Sequence, residues 1–294
     1  MDVRRRDRIQ RALGAGALVA TLVVTVAAAT SWAASAGDDA RAGERYEHSL
    51  LERSKGRGVL VRVRAGSPGS GIGITVHGIN SHCADVAALT LELADRGAAT
   101  SSFVYDDHYR RLRDSAADLA TALRSELAAR PGEPLLVRAH SMGSRIVLVA
   151  LEDLGRDGAL DGREVDVALV APPLGGYTRA NFARFTPWPL SRIKNVLPGV
   201  DMGRSSTFQR RLESLTLPGH VRVRVFLAEH DRVVDARDPR LRAVAEQLRA
   251  ETVWLAGATH ESAVGAAADW LRVEGAQRRE TVVAAPVARS EPAF

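Results

Sequence analysis

The stretch "LLVRAHSMGSRIVLVALEDL", residues 135–154, narrows the folds open to this chain more than any other. Its first residues, opening on Leu135-Leu136-Val137, read as a buried strand, and from Met142 onward the apolar residues recur at helical spacing. Only Ser141 separates the two, with no loop to soften the reversal. A serine so placed sits at the carboxyl end of a strand and the amino end of a helix. The same alternation recurs along the chain. Strands are expected at 59–65, 72–78, 100–107, 133–140, 164–173, 221–229 and 252–257. Helices are expected at 85–97, 109–130, 142–155, 239–250 and 261–273. The first two strands read as neighbours joined by the Gly/Ser/Pro loop 66–71.

Strands and helices that alternate over short connections imply an α/β fold, with a mostly parallel central sheet covered by helices on both faces. In such sheets ligands bind beyond the carboxyl ends of the strands. Three polar residues meet that condition: Ser141 after 134–139, Asp231 after 221–227 and His260 after 252–255. Together they supply what nucleophilic catalysis needs. A serine hydroxyl is a weak nucleophile until an imidazole takes its proton. The imidazole in turn needs a carboxylate on its other nitrogen to fix its tautomer and stabilise its cation. Glu229 and Asp235 are rival acids, but Asp231 lies directly past the strand, with Val233 and Val234 to pack the turn.

Ala139-His140-Ser141-Met142-Gly143 resembles the nucleophile elbow, G-x-S-x-G, of the α/β-hydrolase superfamily, in the GHSMG form found in serine esterases and lipases. The order Ser, Asp, His along the chain is also that superfamily's order. "HGIN" (77–80) resembles its oxyanion loop, and "AEHDRVV" and "AGATHES" its acid and histidine turns; the likeness covers about residues 58–273. The chain departs from the motif at Ala139, where the first glycine is replaced by the next smallest residue. The resemblance implies Ser141 as nucleophile, His260 as base and Asp231 as the acid that orients it. It also implies an oxyanion hole formed by the N–H groups of Met142 and Ile79, Ile79 following the glycine of the loop. No metal or organic cofactor is expected. His77 reads as a brace for the oxyanion loop, and His140 as structural.

The rest of the chain bounds the setting. A basic start, "MDVRRRDRIQR", precedes an uncharged stretch to Ala36, and Ala34-Ser35-Ala36 fits a small-x-small cleavage site. Residues 1–36 therefore read as a signal peptide or an N-terminal membrane anchor, and both place the rest outside the cytoplasm, exported or membrane-tethered. Residues 37–57 read as a polar tether, 58–275 as the hydrolase domain and 276–294 as a disordered tail. Within the domain, 174–218 breaks the alternation and reads as a cap insertion, with Phe182, Phe185, Trp188 and Leu190 available to line an acyl pocket. The first 36 residues hold five Arg against two Asp, which accounts for +3 of the formal +5. The remaining basic residues are scattered among acids, so no nucleic-acid partner is expected. "DDHY" (106–109) lacks matching ligands elsewhere and reads as a solvated strand-end loop rather than a metal site. Cys83, the single cysteine, reads as a small residue on a helix.

The expected activity is cleavage of a small-molecule or lipid carboxylic ester through an acyl-enzyme. Two alternatives stay open at this level. The same triad could serve an acyltransferase or thioesterase, or the fold could serve as a non-catalytic binding module at the cell surface. Substrate chain length and oligomeric state are not written in these residues.

Overall fold

The computed structural model describes residues 38–177, 180 and 195–284. The N-terminal signal-like segment, and Phe182, Phe185, Trp188 and Leu190, lie outside the described residues. The elements in chain order are α1 (Asp38–Arg53), β1 (Val59–Arg64), β2 (Ile72–Val76), a 3₁₀ turn (Cys83–Val86), α2 (Ala87–Asp95), β3 (Ala99–Val104), α3 (Leu112–Ala129) and β4 (Leu135–His140). There follow α4 (Met142–Arg156), β5 (Val165–Val170), α5 (Val196–Met202), α6 (Thr207–Ser214), β6 (Val221–Ala228), α7 (Pro239–Gln247), β7 (Glu251–Leu255) and α8 (Ala263–Ala284).

The seven strands form one sheet in the order β1-β3-β2-β4-β5-β6-β7, parallel throughout except for β1, which runs antiparallel to β3. β1 and β2 are therefore not neighbours, contrary to the sequence expectation; β3 lies between them. Burial explains the order. "IGITV" of β2 is buried along its whole length and suits the interior of a sheet covered on both faces. "VLVRVR" of β1 alternates apolar residues with Arg62 and Arg64, which suits an edge strand.

α3, α4, α6 and α7 pack on one face, and α2 and α8 on the other. Alternation along β5 separates the two layers: Val165, Val167 and Leu169 join the first core, while Ala168 and Val170 join the second. The α2/α8 face also carries a buried ionic cluster. Arg138 of β4, fully buried, donates to Glu92 of α2 and to Asp166 of β5, each at 3.0 Å. Arg224 of β6 pairs with the same Asp166 and with Glu274 of α8. Burial would raise the Asp166 carboxyl, but the two guanidiniums outweigh it and hold the group below the usual carboxylate range.

Three boundaries differ from the sequence reading. Residues 38–53 are helical rather than a tether, and Leu50 of that helix is buried. α8 continues to Ala284, through the start of the segment read as a disordered tail. Within 174–218, α6 puts Phe208 and Leu212 into the main core, so this part of the segment belongs to the scaffold rather than to a cap. Among the described residues, no helix is long and apolar enough to cross a membrane.

The connection from β2 leads to β3 on one side of it, and the connection from β4 leads to β5 on the other. The crevice beyond the carboxyl ends of β2 and β4 is thus the switch point of the sheet, the place where such folds bind ligands. His77 to Asn80 follow β2, and Ser141 follows β4.

Candidate active site

Ser141 has φ 50° and ψ −127°, a backbone conformation that costs a non-glycine residue about 1–3 kcal/mol. Its neighbours maintain the strain. The Ser141 N–H donates to Val170 O at 2.9 Å, keeping the residue paired to the adjacent strand while α4 begins at Met142. Gly143 makes the tight turn feasible, since a Cβ there would lie 2.3 Å from His77 O. On the facing loop, a Cβ on Gly78 would lie 3.0 Å from Ser141 Cβ, so a side chain there would press on the serine itself. The elbow and the loop after β2 are therefore in direct apposition.

The three residues read from the sequence come together. His260 Nε2 lies 3.0 Å from Ser141 Oγ, and His260 Nδ1 lies 2.8 Å from Asp231 Oδ2. With Asp231 ionised, Nδ1 carries the proton and donates it, which leaves the Nε2 lone pair to accept from the Ser141 hydroxyl. Burial would raise the Asp231 carboxyl. The hydrogen bond from His260 and the N–H groups of Val234 and Val233, at 2.8 and 2.7 Å, prevail and hold it below the ordinary range. The rival acids are engaged in turns: Glu229 Oε2 accepts from Gly257 N at 2.8 Å, and Asp235 Oδ1 from Arg237 N at 2.9 Å.

Met142 opens α4, so its N–H is among the four at a helix start that lack an intrahelical acceptor. Ile79 sits on the apposed loop, partly buried against the main core. That loop is braced at several points. His77 Nδ1 donates to Gly78 O at 2.9 Å, and the Tyr105 hydroxyl donates to His77 O at 2.8 Å while the two rings stack. Asn80, at φ 52°, accepts from Asn195 Nδ2 at 3.2 Å, and Asn195 in turn lies 3.0 Å from His108 Nδ1. His108 of "DDHY" thus belongs to a hydrogen-bonded loop. Sequence reasoning missed Tyr105 and Asn195, because only the fold brings the end of β3 and the start of α5 to the loop after β2.

His140 also has a structural task. Its Nε2–H donates to His260 O at 3.1 Å, fixing the backbone that carries the imidazole. Burial, with a smaller contribution from the nearby His260, lowers its pKa from 6.5 to about 4. Between those values the unfolded chain binds a proton that the folded chain excludes. Stability should therefore fall by about 3 kcal/mol as pH drops through that window. Replacing His140 with Gln, which keeps a donor but cannot titrate, should remove this loss. Urea unfolding of both proteins at about pH 7 and pH 4.5 checks it, and equal acid sensitivity would contradict it.

No protein-family model matches the chain, and no curated protein matches it. Solved structures do. A structure described with LipS and LipT, two metagenome-derived lipolytic enzymes, superposes with TM-score 0.54 at 15% identity, covering 76% of this chain and 98% of that one. The monoacylglycerol lipase of Paleococcus ferrophilus superposes with TM-score 0.52 at 18% identity, covering 73% and 98%. Est1E from Butyrivibrio proteoclasticus superposes with TM-score 0.52 at 15% identity, covering 76% and 94%. The chain has the α/β-hydrolase fold. At these identities the likeness speaks to the fold, and the site must be argued from its own residues.

Proposed function

We propose that this protein is a serine hydrolase of carboxylic esters, exported from the cytoplasm or tethered to a membrane by its N-terminal segment. The observation that carries the reading is the continuous hydrogen-bonded path from Ser141 through His260 to Asp231, at 3.0 and 2.8 Å, at the switch point of the sheet. The Ser141 oxygen attacks the ester carbonyl as His260 Nε2 takes its proton, and Asp231 stabilises the resulting imidazolium. The N–H groups of Met142 and Ile79 receive the oxyanion, each contributing about 3 kcal/mol of transition-state stabilisation. His260 then protonates the leaving alcohol. Water, deprotonated by the same imidazole, releases the acyl group. No metal enters this chemistry.

Turnover of p-nitrophenyl esters of increasing acyl length by the purified protein, with and without added alcohol or thiol acceptors, tests the assignment. Release of free acid is expected in every arm. Transfer of most of the acyl group to an acceptor would make the protein an acyltransferase, and no turnover at any chain length would remove the enzyme reading.

A further inference from the structure

Around His77, three side chains of different chemistry converge. Glu47 comes from α1, His77 from the loop after β2, and Cys83 from the 3₁₀ turn. Each offers one ligand atom, and the three atoms lie within 4.8 Å of one another. His77 fixes the character of the group. Its Nδ1 carries a proton, because it donates to Gly78 O at 2.9 Å, so Nε2 holds a bare lone pair. That atom is buried in a residue only 1% exposed and has no hydrogen-bond partner among the described residues. Desolvating a ring nitrogen without a partner is unfavourable, and no described group offsets it.

We propose that Glu47, His77 and Cys83 form a divalent-cation site of zinc type, distinct from the Ser141 centre. The donor set is one carboxylate oxygen, one imidazole nitrogen and one sulfur, the mixture that a borderline-soft ion accepts. The imidazole shows the arrangement usual for a metal-binding histidine, with one nitrogen free to ligate while the other donates to a backbone carbonyl. On binding, Cys83 releases its thiol proton to solvent and coordinates as the thiolate. Coordination would require the three atoms, now up to 4.8 Å apart, to draw together, with Glu47 giving up part of its present contacts to Cys83 N and His82. A cleft of about 960 Å³ is lined by two of the three residues, Glu47 and His77, together with His82 and Tyr109.

The site would join α1 to the loop that carries Ile79. α1 already touches this region through Glu47, whose carboxylate accepts from Cys83 N at 3.0 Å. A cation would also lock the Nδ1–H tautomer that holds Gly78 O. The proposal does not depend on the ester-hydrolase reading.

The experiment is titration of chelator-treated, full-length protein with Co²⁺, followed by displacement with Zn²⁺. The expected result is one equivalent of Co²⁺ with a thiolate-to-cobalt charge-transfer band, which Zn²⁺ abolishes. Cys83→Ser should lose the band. Glu47→Gln should bind Zn²⁺ more weakly by about tenfold or more, since even loss of a group hydrogen-bonded to a ligand costs about 10- to 100-fold. Zn²⁺ should raise the thermal midpoint of the wild-type protein and not that of Cys83→Ser. Absence of a thiolate band, or equal affinity in all three proteins, would overturn the site.

Discussion

Replacing Ser141 with alanine should lower kcat for a short-chain p-nitrophenyl ester on the order of 10⁶-fold. The alanine methyl cannot attack the carbonyl, whereas the N–H groups of Met142 and Ile79 remain in place. Residual turnover should therefore still exceed the uncatalysed rate by about 10³–10⁴. His260→Ala should cost about as much, and the double variant little more than either single one, because the two residues act as a unit. Asp231→Ala should cost less, on the order of 10⁴-fold, since the imidazole can still accept a proton when it is poorly held. Steady-state rates for the four variants check these expectations. The folded state should tolerate Ser141→Ala within about 1 kcal/mol, because the backbone strain stays as it was and only the hydroxyl is lost. A rate for Ser141→Ala within tenfold of wild type would end the assignment of the nucleophile.

The second large effect concerns stability rather than rate. Asp166 lies between Arg138 and Arg224, both at most 1% exposed. Replacing it with alanine would leave two buried guanidiniums sharing fewer counter-charges, with only Glu92 and Glu274 at the ends of the cluster. Breaking a buried pair by removing one partner costs about 3–5 kcal/mol, because the remaining charge is uncompensated. Asp166→Ala should therefore lower the unfolding free energy measured in urea by that amount. Replacing Arg138, Asp166 and Arg224 together with apolar residues of similar volume should recover part of it, since Glu92 and Glu274 keep Arg96 and Arg222 as partners. A loss below about 1 kcal/mol for Asp166→Ala would mean that water reaches the cluster.

Much of the fold, and the residues that meet at the candidate site, were legible in the sequence, and the reasons are local. A strand that turns into a helix at one residue leaves a clear signature, because a buried strand and a helical period meet at Ser141. Asp231 and His260 were legible because each directly follows an apolar run. What the sequence did not convey depends on pairing between distant segments. β1 and β2 are separated by only a short loop, yet Leu60 of β1 pairs with Phe103 of β3. Arg62 and Arg64 mark β1 as an edge strand, whereas the short loop alone points to β1 and β2 as neighbours. Polarity likewise made 38–53 look like a tether, although Tyr46 and Leu50 stand four residues apart on one helix face. Tyr105 as a brace for the His77-Gly78 backbone had no sequence signal, since nothing near it in the chain names its partner.

The central claim is that Ser141 is made reactive by His260 at the switch point of the sheet. The most direct test is labelling with a fluorophosphonate probe, followed by peptide mapping of the adduct. A single adduct on Ser141 is expected in the wild-type protein, with labelling slowed by orders of magnitude in His260→Ala. An unlabelled wild-type protein, or an adduct on another residue, would contradict it.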